Sequence, residues 1–408
     1  VATWDSYPLG ALEEQWFAPD VKARWLRTGH PDFASFNHDV YRGMSKLPLW
    51  VMEQQPGPVN WAQWNPAPLP GMVRLWSWEA FAHGAGCVSY FRWRQAPFAQ
   101  EQMHAGLNTP DNRLDVGGNE AAQVADEIRA VLAANADANA AIRSKVALVY
   151  DYEAKWLFEI HPQGADFHYP RFAFEYYSAL RALGLDVDIV PVDAALDGYR
   201  LIVVPPLPVV PADFAARLAS SGAQVVLGPR TGSKTQDLQI PANLPPGALA
   251  SVLPLRVWRV ESMRPNVTEA VRLEDSGNAS AEGGVARHWR DFIEAAGDSG
   301  NDATEALDVR ARFADGHPAY VKSGAFHYLA SLFDDALTVR LFARIAQEAG
   351  LEPVALGDSV RLSRRGELTY VLNYGDQAHT LADIADDAFV IGSRTVEPQG
   401  VAVYRSGN

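Results

Sequence analysis

In the first 140 residues, strand-length apolar runs alternate with helical stretches, and few folds allow that order. "PLWVME" (48–53) is an apolar run of strand length, and "PGMVRLWSWEAFAHGA" (70–85) has helical periodicity with Pro70 and Gly71 at its start. "CVSYFRW" (87–93), rich in β-branched and aromatic residues, reads as a further strand, and the Ala-rich "NEAAQVADEIRAVLAANADANA" (119–140) as a long helix. Strand, helix, strand, helix implies parallel βα units, which carry their chemistry in the loops after the carboxyl ends of the strands. Glu53 and the stretch "RQAPFAQEQMH" (94–104) fall at such ends. A closed (β/α)8 barrel takes about 250 residues. This segment is too short for one and would supply its last three strands, with "VATWDS" (1–6) as the first. Either the sheet is small and open, or the barrel is truncated at its amino end.

The pattern then changes twice. "KVALVYD" (145–151), "VDIV" (187–190), "YRLIVVPP" (199–206) and "AQVVLG" (223–228) read as strands, with helices at 169–184, between the last two strands, and at 336–350. That is a doubly wound α/β order. From Glu352 onward helical period is lost, and "SVRLSRRGELTYVLNYG" (359–375) and "VAVYRS" (401–406) suggest a small antiparallel β domain. The expected domains are therefore 1–143, 144–351 and 352–408.

A formal charge of −14 and a pI near 5.2 argue against nucleic acid or an anionic membrane surface as partner, and favour a neutral small molecule. The single cysteine, Cys87, allows no intrachain disulfide, and no Cys/His spacing suggests zinc. No apolar run reaches the ~20 residues that span a bilayer, and no signal peptide opens the chain. A cytoplasmic protein needing no cofactor and no metal is the expectation.

Glu53 is either a solvated strand end or a reactive carboxylate. Glu101 and His104, three residues apart, would present a carboxylate and an imidazole together if that stretch is helical; an ordinary surface ion pair fits the spacing equally. Nine of the 12 tryptophans lie in the first 93 residues, and most of these are expected in the core. Trp61 and Trp64 sit instead in a Pro/Gly/Asn loop, where aromatic faces beside carboxylates suit the C–H face of a sugar. "GPRTGSKT" (228–235) lacks the glycine spacing of a phosphate-binding loop and reads as a turn. Amidotransferase-like chemistry in the second segment would need a thiol, and Cys87 lies outside it. Asn119–Glu120 opens a predicted helix as cap and first-turn charge, while Glu79, inside a helix, reads as a surface or packing residue.

"VMEQQPGPVNWAQWNPAPLPGMVRLWSWEAFAHGAGCVSYFRWRQAPFAQEQMHAGL" closely resembles the end of the catalytic barrel of glycoside hydrolase family 42 β-galactosidases. "WDSYPLG" and "HPDFASFNHDVYRG" are similar to the family's sixth-strand region and the approach to its seventh. The second segment, with "GPRTGSKTQDLQIPANLPPG", resembles its trimerisation domain, and the tail its small β domain; "ARHWRDFIEAAGDSGND" (286–302) is not placed by the resemblance. The resemblance implies a retaining exo-β-galactosidase acting on terminal galactosides, assembled as a homotrimer. It makes Glu53 the nucleophile and Tyr7 a hydrogen-bond donor to it. Trp61, Glu101 and His104 would contact galactose, and Phe91 would line the pocket. The family's acid/base glutamate, in an Asn-Glu pair ending its fourth strand, has no counterpart here, nor have its sugar-site arginine and the zinc-binding cysteines of some members. Alternatives are an assembly fragment without activity of its own, or a related glycosidase such as an α-L-arabinopyranosidase.

Overall fold

The computed structural model describes residues 1–45, 47–134, 144–274, 283–296 and 307–406. They form two compact units: one of Val1–Arg143, Arg181–Asp186 and Val354–Asn408, the other of Ser144–Leu180 and Val187–Pro353.

The first unit begins with β1 (Ala2–Ser6), α1 (Pro8–Glu14), α2 (Pro19–Arg24), α3 (Phe33–Ser45), β2 (Leu49–Gln54), α4 (Met72–Ala82), β3 (Ala85–Tyr90) and α5 (Val116–Ala134). Residues 135–140 of the predicted long helix lie outside the described residues. The strands pair in parallel as β1–β2–β3. One face of this sheet is covered: Leu49 and Val51 are buried with Ala80 and Ala85, and Trp4, Phe81 and Val88 pack against them. On the other face Trp50 and Met52 are 37% and 42% exposed.

Helix α4 starts at Gly71, whose φ of +96° suits glycine and which offers no capping side chain. Glu120 of α5 caps it from outside, accepting from the Gly71 N–H at 2.6 Å and the Arg74 N–H at 3.0 Å. A carboxylate there satisfies open donors and sits at the positive end of the helix dipole. This corrects the expectation for Asn119–Glu120. The pair lies inside α5, which begins at Val116, and Glu120 alone caps a different helix.

The second unit runs β4 (Val146–Val149), α6 (Tyr152–Ile160), α7 (Tyr169–Ala182, whose last two residues belong to the first unit), β5 (Val187–Val190), β6 (Leu201–Val204), α8 (Ala212–Ser220) and β7 (Gln224–Leu227). These strands lie parallel in the order β5–β4–β6–β7, and β4 and β6 are buried along their whole length. Their near-continuous Val/Leu/Ile composition follows, since helices cover both faces of such a sheet. Seven further strands follow before α9 (Asp335–Glu348): β8 (Leu255–Ser262), β9 (Glu269–Leu273), β10 (Gly283–Ala295), β11 (Asp308–Phe313), β12 (Pro318–Ser323), β13 (Phe326–Leu329) and β14 (Ser331–Phe333). β13 joins β7 in parallel, and the rest extend the sheet antiparallel to 11 strands. The doubly wound reading found only the parallel half. The unplaced stretch 286–302 is largely β10, and its residues 297–302 lie outside the described residues.

The chain ends with β15 (Val360–Arg365), β16 (Leu368–Asn373), β17 (His379–Thr380), β18 (Phe389–Ile391), β19 (Thr395–Val396) and β20 (Val401–Arg405). β15–β16–β20–β18 form an antiparallel sheet, and β17 pairs with β19. Within the first unit, Tyr370, Leu372 and Val403 share one core with Trp76 and Trp78 of α4 and Val124 and Val131 of α5. Beside it lies a buried polar seam. Arg361 grips Asp32 with two hydrogen bonds of 2.5 and 2.7 Å, and His83 bridges Asp39 at 3.0 Å and Ser363 at 3.1 Å.

Candidate active site

Alternation along β2 puts Leu49 and Val51 on the helix-covered face, and would put Glu53 there as well. The strand register prevents this. β1 and β2 pair as Thr3↔Trp50 and Trp4↔Val51, and the next pair is Asp5↔Glu53, leaving Met52 unmatched. On the other side Val51 pairs with Val88 and Gln54 with Tyr90, again one residue more on β2 than on its neighbour. The extra residue is a β-bulge, and a one-residue shift moves all later side chains to the opposite face. Trp4 faces the helices, where its Nε1 donates to His38 Nδ1 at 3.0 Å. Asp5 and its partner Glu53 therefore point to the uncovered face, the side of Trp50. The bulge is what delivers the carboxylate to open space.

Tyr7, between β1 and α1, donates from its hydroxyl to Glu53 Oε2 at 2.5 Å. Burial, and then this bond, raise the phenol's pKa well above its ordinary value, so it remains a donor. Edge-on contacts connect the Tyr7 ring to Trp61 (5.6 Å between centroids) and to His104 (5.8 Å), and Phe91 meets His104 at 5.1 Å. His104 Nδ1 lies 3.1 Å from the Ala105 carbonyl oxygen. Burial, and to a lesser degree the charge of Arg92, lower its pKa, so at neutral pH the ring is uncharged. With the proton on Nδ1, Nε2 can accept from a hydroxyl group.

Glu101 is placed differently from the helical expectation. Residues 100–103 form a turn, closed by His104 N donating to the Glu101 carbonyl at 3.0 Å. The Glu101 carboxylate forms an ion pair with Arg92, whose guanidinium lies 4.5 Å over the Phe91 ring. Tyr7, Glu53, Trp61, Phe91 and His104 thus form one cluster, and Glu101 joins it through Arg92. Trp61 is 48% exposed, and Trp64, at 64%, has no ring contact with the cluster among the described residues.

Three supporting residues were not singled out from sequence. Gln55, fully buried, accepts from Leu9 N at 3.0 Å and donates to the Gly57 carbonyl at 2.8 Å, tying the loop after β2 to the start of α1. Gly10 lets Trp61 lie against α1: a Cβ there would come 2.3 Å from the indole Cη2. Arg92 is the third, hidden because a cation following a strand has many bland explanations. Elsewhere, Glu79 is buried rather than on the surface, and burial pushes its pKa up to about 8. Arg230, in the Gly-rich turn after β7, has φ +64° and sits between the rings of Phe158, Phe167 and Trp289 at 4.5–4.9 Å, so its guanidinium is engaged in packing.

Residues 1–131 match the family profile described as β-galactosidase, and residues 144–352 match that of the β-galactosidase trimerisation domain. The chain belongs to the family 42 β-galactosidases. It is 49% identical to β-galactosidase BgaA of a Thermus species and 34% identical to β-galactosidase Bga of Halorubrum lacusprofundi, covering 99% and 95% of this chain. Among solved structures, the β-galactosidase of the psychrophilic Marinomonas ef1 superposes with a TM-score of 0.92 at 41% identity over 100% of the chain. The polyextremophilic enzyme of the Antarctic haloarchaeon Halorubrum lacusprofundi gives 0.88 at 32%. This family 42 chain spans 59% of the length of its Thermus relative and 60% of the Marinomonas chain.

Proposed function

We propose that this chain is the part of a retaining exo-β-galactosidase that carries the nucleophile, Glu53. The observation that carries the reading is the Tyr7–Glu53 hydrogen bond at the ends of two adjacent strands, on the sheet's uncovered face and under an exposed Trp61. The Glu53 carboxylate attacks the anomeric carbon of a terminal galactoside while the bond to the leaving oxygen breaks. That oxygen takes a proton from a second carboxyl, which then draws a proton from the water that hydrolyses the glycosyl ester. Two inversions retain the anomeric configuration. Tyr7 holds one Glu53 oxygen and leaves the other free for attack. Trp61 stacks on the sugar's C–H face, and His104 and Phe91 fix its orientation, with Arg92 holding Glu101 at the rim.

The second carboxyl must stand about 5–5.5 Å from Glu53. Glu120 is committed to capping α4, and the family resemblance implies an acid/base group outside these 408 residues. Residues 144–351 serve as the assembly domain of a homotrimer.

A 2-deoxy-2-fluoro-β-galactoside with an activated leaving group slows hydrolysis of the ester more than its formation. With the full-length protein, peptide mass spectrometry is expected to find the label on Glu53, and Glu53→Gln to lose at least about a thousandfold in turnover with an unchanged melting curve. A label on another carboxylate, or near-normal hydrolysis by the variant, sinks the assignment.

A further inference from the structure

The uncovered face that receives Glu53 carries a second carboxylate. The register partner of Glu53, Asp5, sits beside it on β1, one strand away, and paired residues on neighbouring strands share a face. Asp5 is exposed, and no side-chain hydrogen bond reaches its carboxylate among the described residues. Glu53, in contrast, is held by Tyr7. Burial by neighbouring groups, followed by the Glu53 charge, raises the pKa of Asp5, so the two carboxylates feel one another. Tyr7 feels the Asp5 charge as well as that of Glu53. The positive group nearest the cluster, Arg92, is turned to Glu101. Asp5 is thus a carboxylate without a structural partner, on the same face and at the same level as the proposed nucleophile.

We propose that Asp5 is a second fixed negative charge of the sugar site, stabilising the positive charge that develops on the ring as the glycosidic bond breaks. The proposal rests on the galactosidase reading of Glu53. The oxocarbenium-like transition state carries positive charge on the anomeric carbon and ring oxygen, whereas the ground-state sugar is neutral. Glu53 loses its charge as it forms the ester, so it cannot serve both glycosylation and the departure of the ester with the same full charge. Asp5 bonds to nothing in the reaction and keeps its charge through both steps. Preorganised charge aimed at where charge develops is the form of stabilisation that raises turnover instead of ground-state affinity.

The test compares a cationic and a neutral ligand on the full-length protein and its Asp5→Asn and Asp5→Glu variants. The ligands are a galacto-configured iminosugar, protonated at neutral pH, and galactose itself. Asp5→Asn is expected to weaken the iminosugar by about tenfold or more while changing galactose by less than about twofold, as one charge at site distance implies. In the same variant kcat falls and KM stays near its original value, and Asp5→Glu retains most of the cation preference. Equal losses for both ligands would mean that Asp5 is structural or hydrogen-bonds the sugar, and unchanged inhibition would mean that it faces elsewhere; either overturns the proposal. Failure of the galactosidase reading is separate, because the unmodified protein would then neither turn over an aryl β-galactoside nor take the fluorosugar label on Glu53.

Discussion

Both units are built on parallel strands, yet their sheets differ in completeness. In the second unit β4 and β6 are buried throughout, and the sheet continues for 11 strands. In the first unit three strands are covered on one face only, and Trp50 and Met52 stand exposed on the other. The candidate site lies on that uncovered face. The difference shows where each unit keeps its stability. The second buries its sheet, while the first relies on the cluster of α4, α5 and the carboxyl-terminal sheet and on the buried polar seam.

If that division holds, breaking the seam should unfold one unit and spare the other. Arg361→Met leaves Asp32 charged, buried and without its two guanidinium bonds, a cost of about 3–5 kcal/mol. Site-resolved hydrogen exchange is expected to lose protection in β15, α3 and α4 and to keep it in β4 and β6. Equal loss in both units would abolish the distinction.

Glu79 sharpens it through pH. Its folded pKa of about 8 lies above the ordinary carboxyl value of 4.5, so the folded state binds the proton more tightly. The stability this contributes is present at acid pH and is lost as pH rises towards 8. Glu79→Gln, neutral at every pH, should flatten that slope in thermal melts between about pH 5 and about pH 8, a difference of roughly 3–4 kcal/mol. A wild-type slope that survives in the variant would assign it to another group.

The smallest effect expected is on the site alone. Gly10→Ala improves helix propensity by up to about 1 kcal/mol but drives a methyl group into Trp61. KM for an aryl galactoside should rise roughly five- to tenfold, the worth of one displaced aromatic face, with the melting temperature little changed. An unaltered KM would remove Trp61 from the proposed sugar contacts.

Much of this was legible in the sequence where a single period dominated. The runs 48–53 and 199–206 announced strands, and 70–85 announced α4, because apolar spacing reports burial directly. The antiparallel strands of the second unit were not. β10 mixes buried and exposed residues without strict alternation and pairs with three other strands, so its pattern follows tertiary contacts rather than period. The clustering of Tyr7 with Glu53, 46 residues apart, came from the family resemblance and not from spacing. Gly10 and Gln55 could not have been found, since their importance lies in what they touch. Glu79 shows the opposite limit, for a buried acid in a helix looks the same in sequence as an exposed one.

The unmatched residue in β2 makes the aim of the reactive carboxylate depend on how two strands pair. At position 52 the requirement is one of register: Met52 must stay out of the ladder for Glu53 to face the same way as Asp5. A pairing that took Met52 into the ladder would turn Glu53 into the helix layer and leave an acid among Leu49, Val51 and Ala80. The reactive group is therefore addressed by strand register, and a slip of one position in the pairing would hide it without altering a single functional side chain.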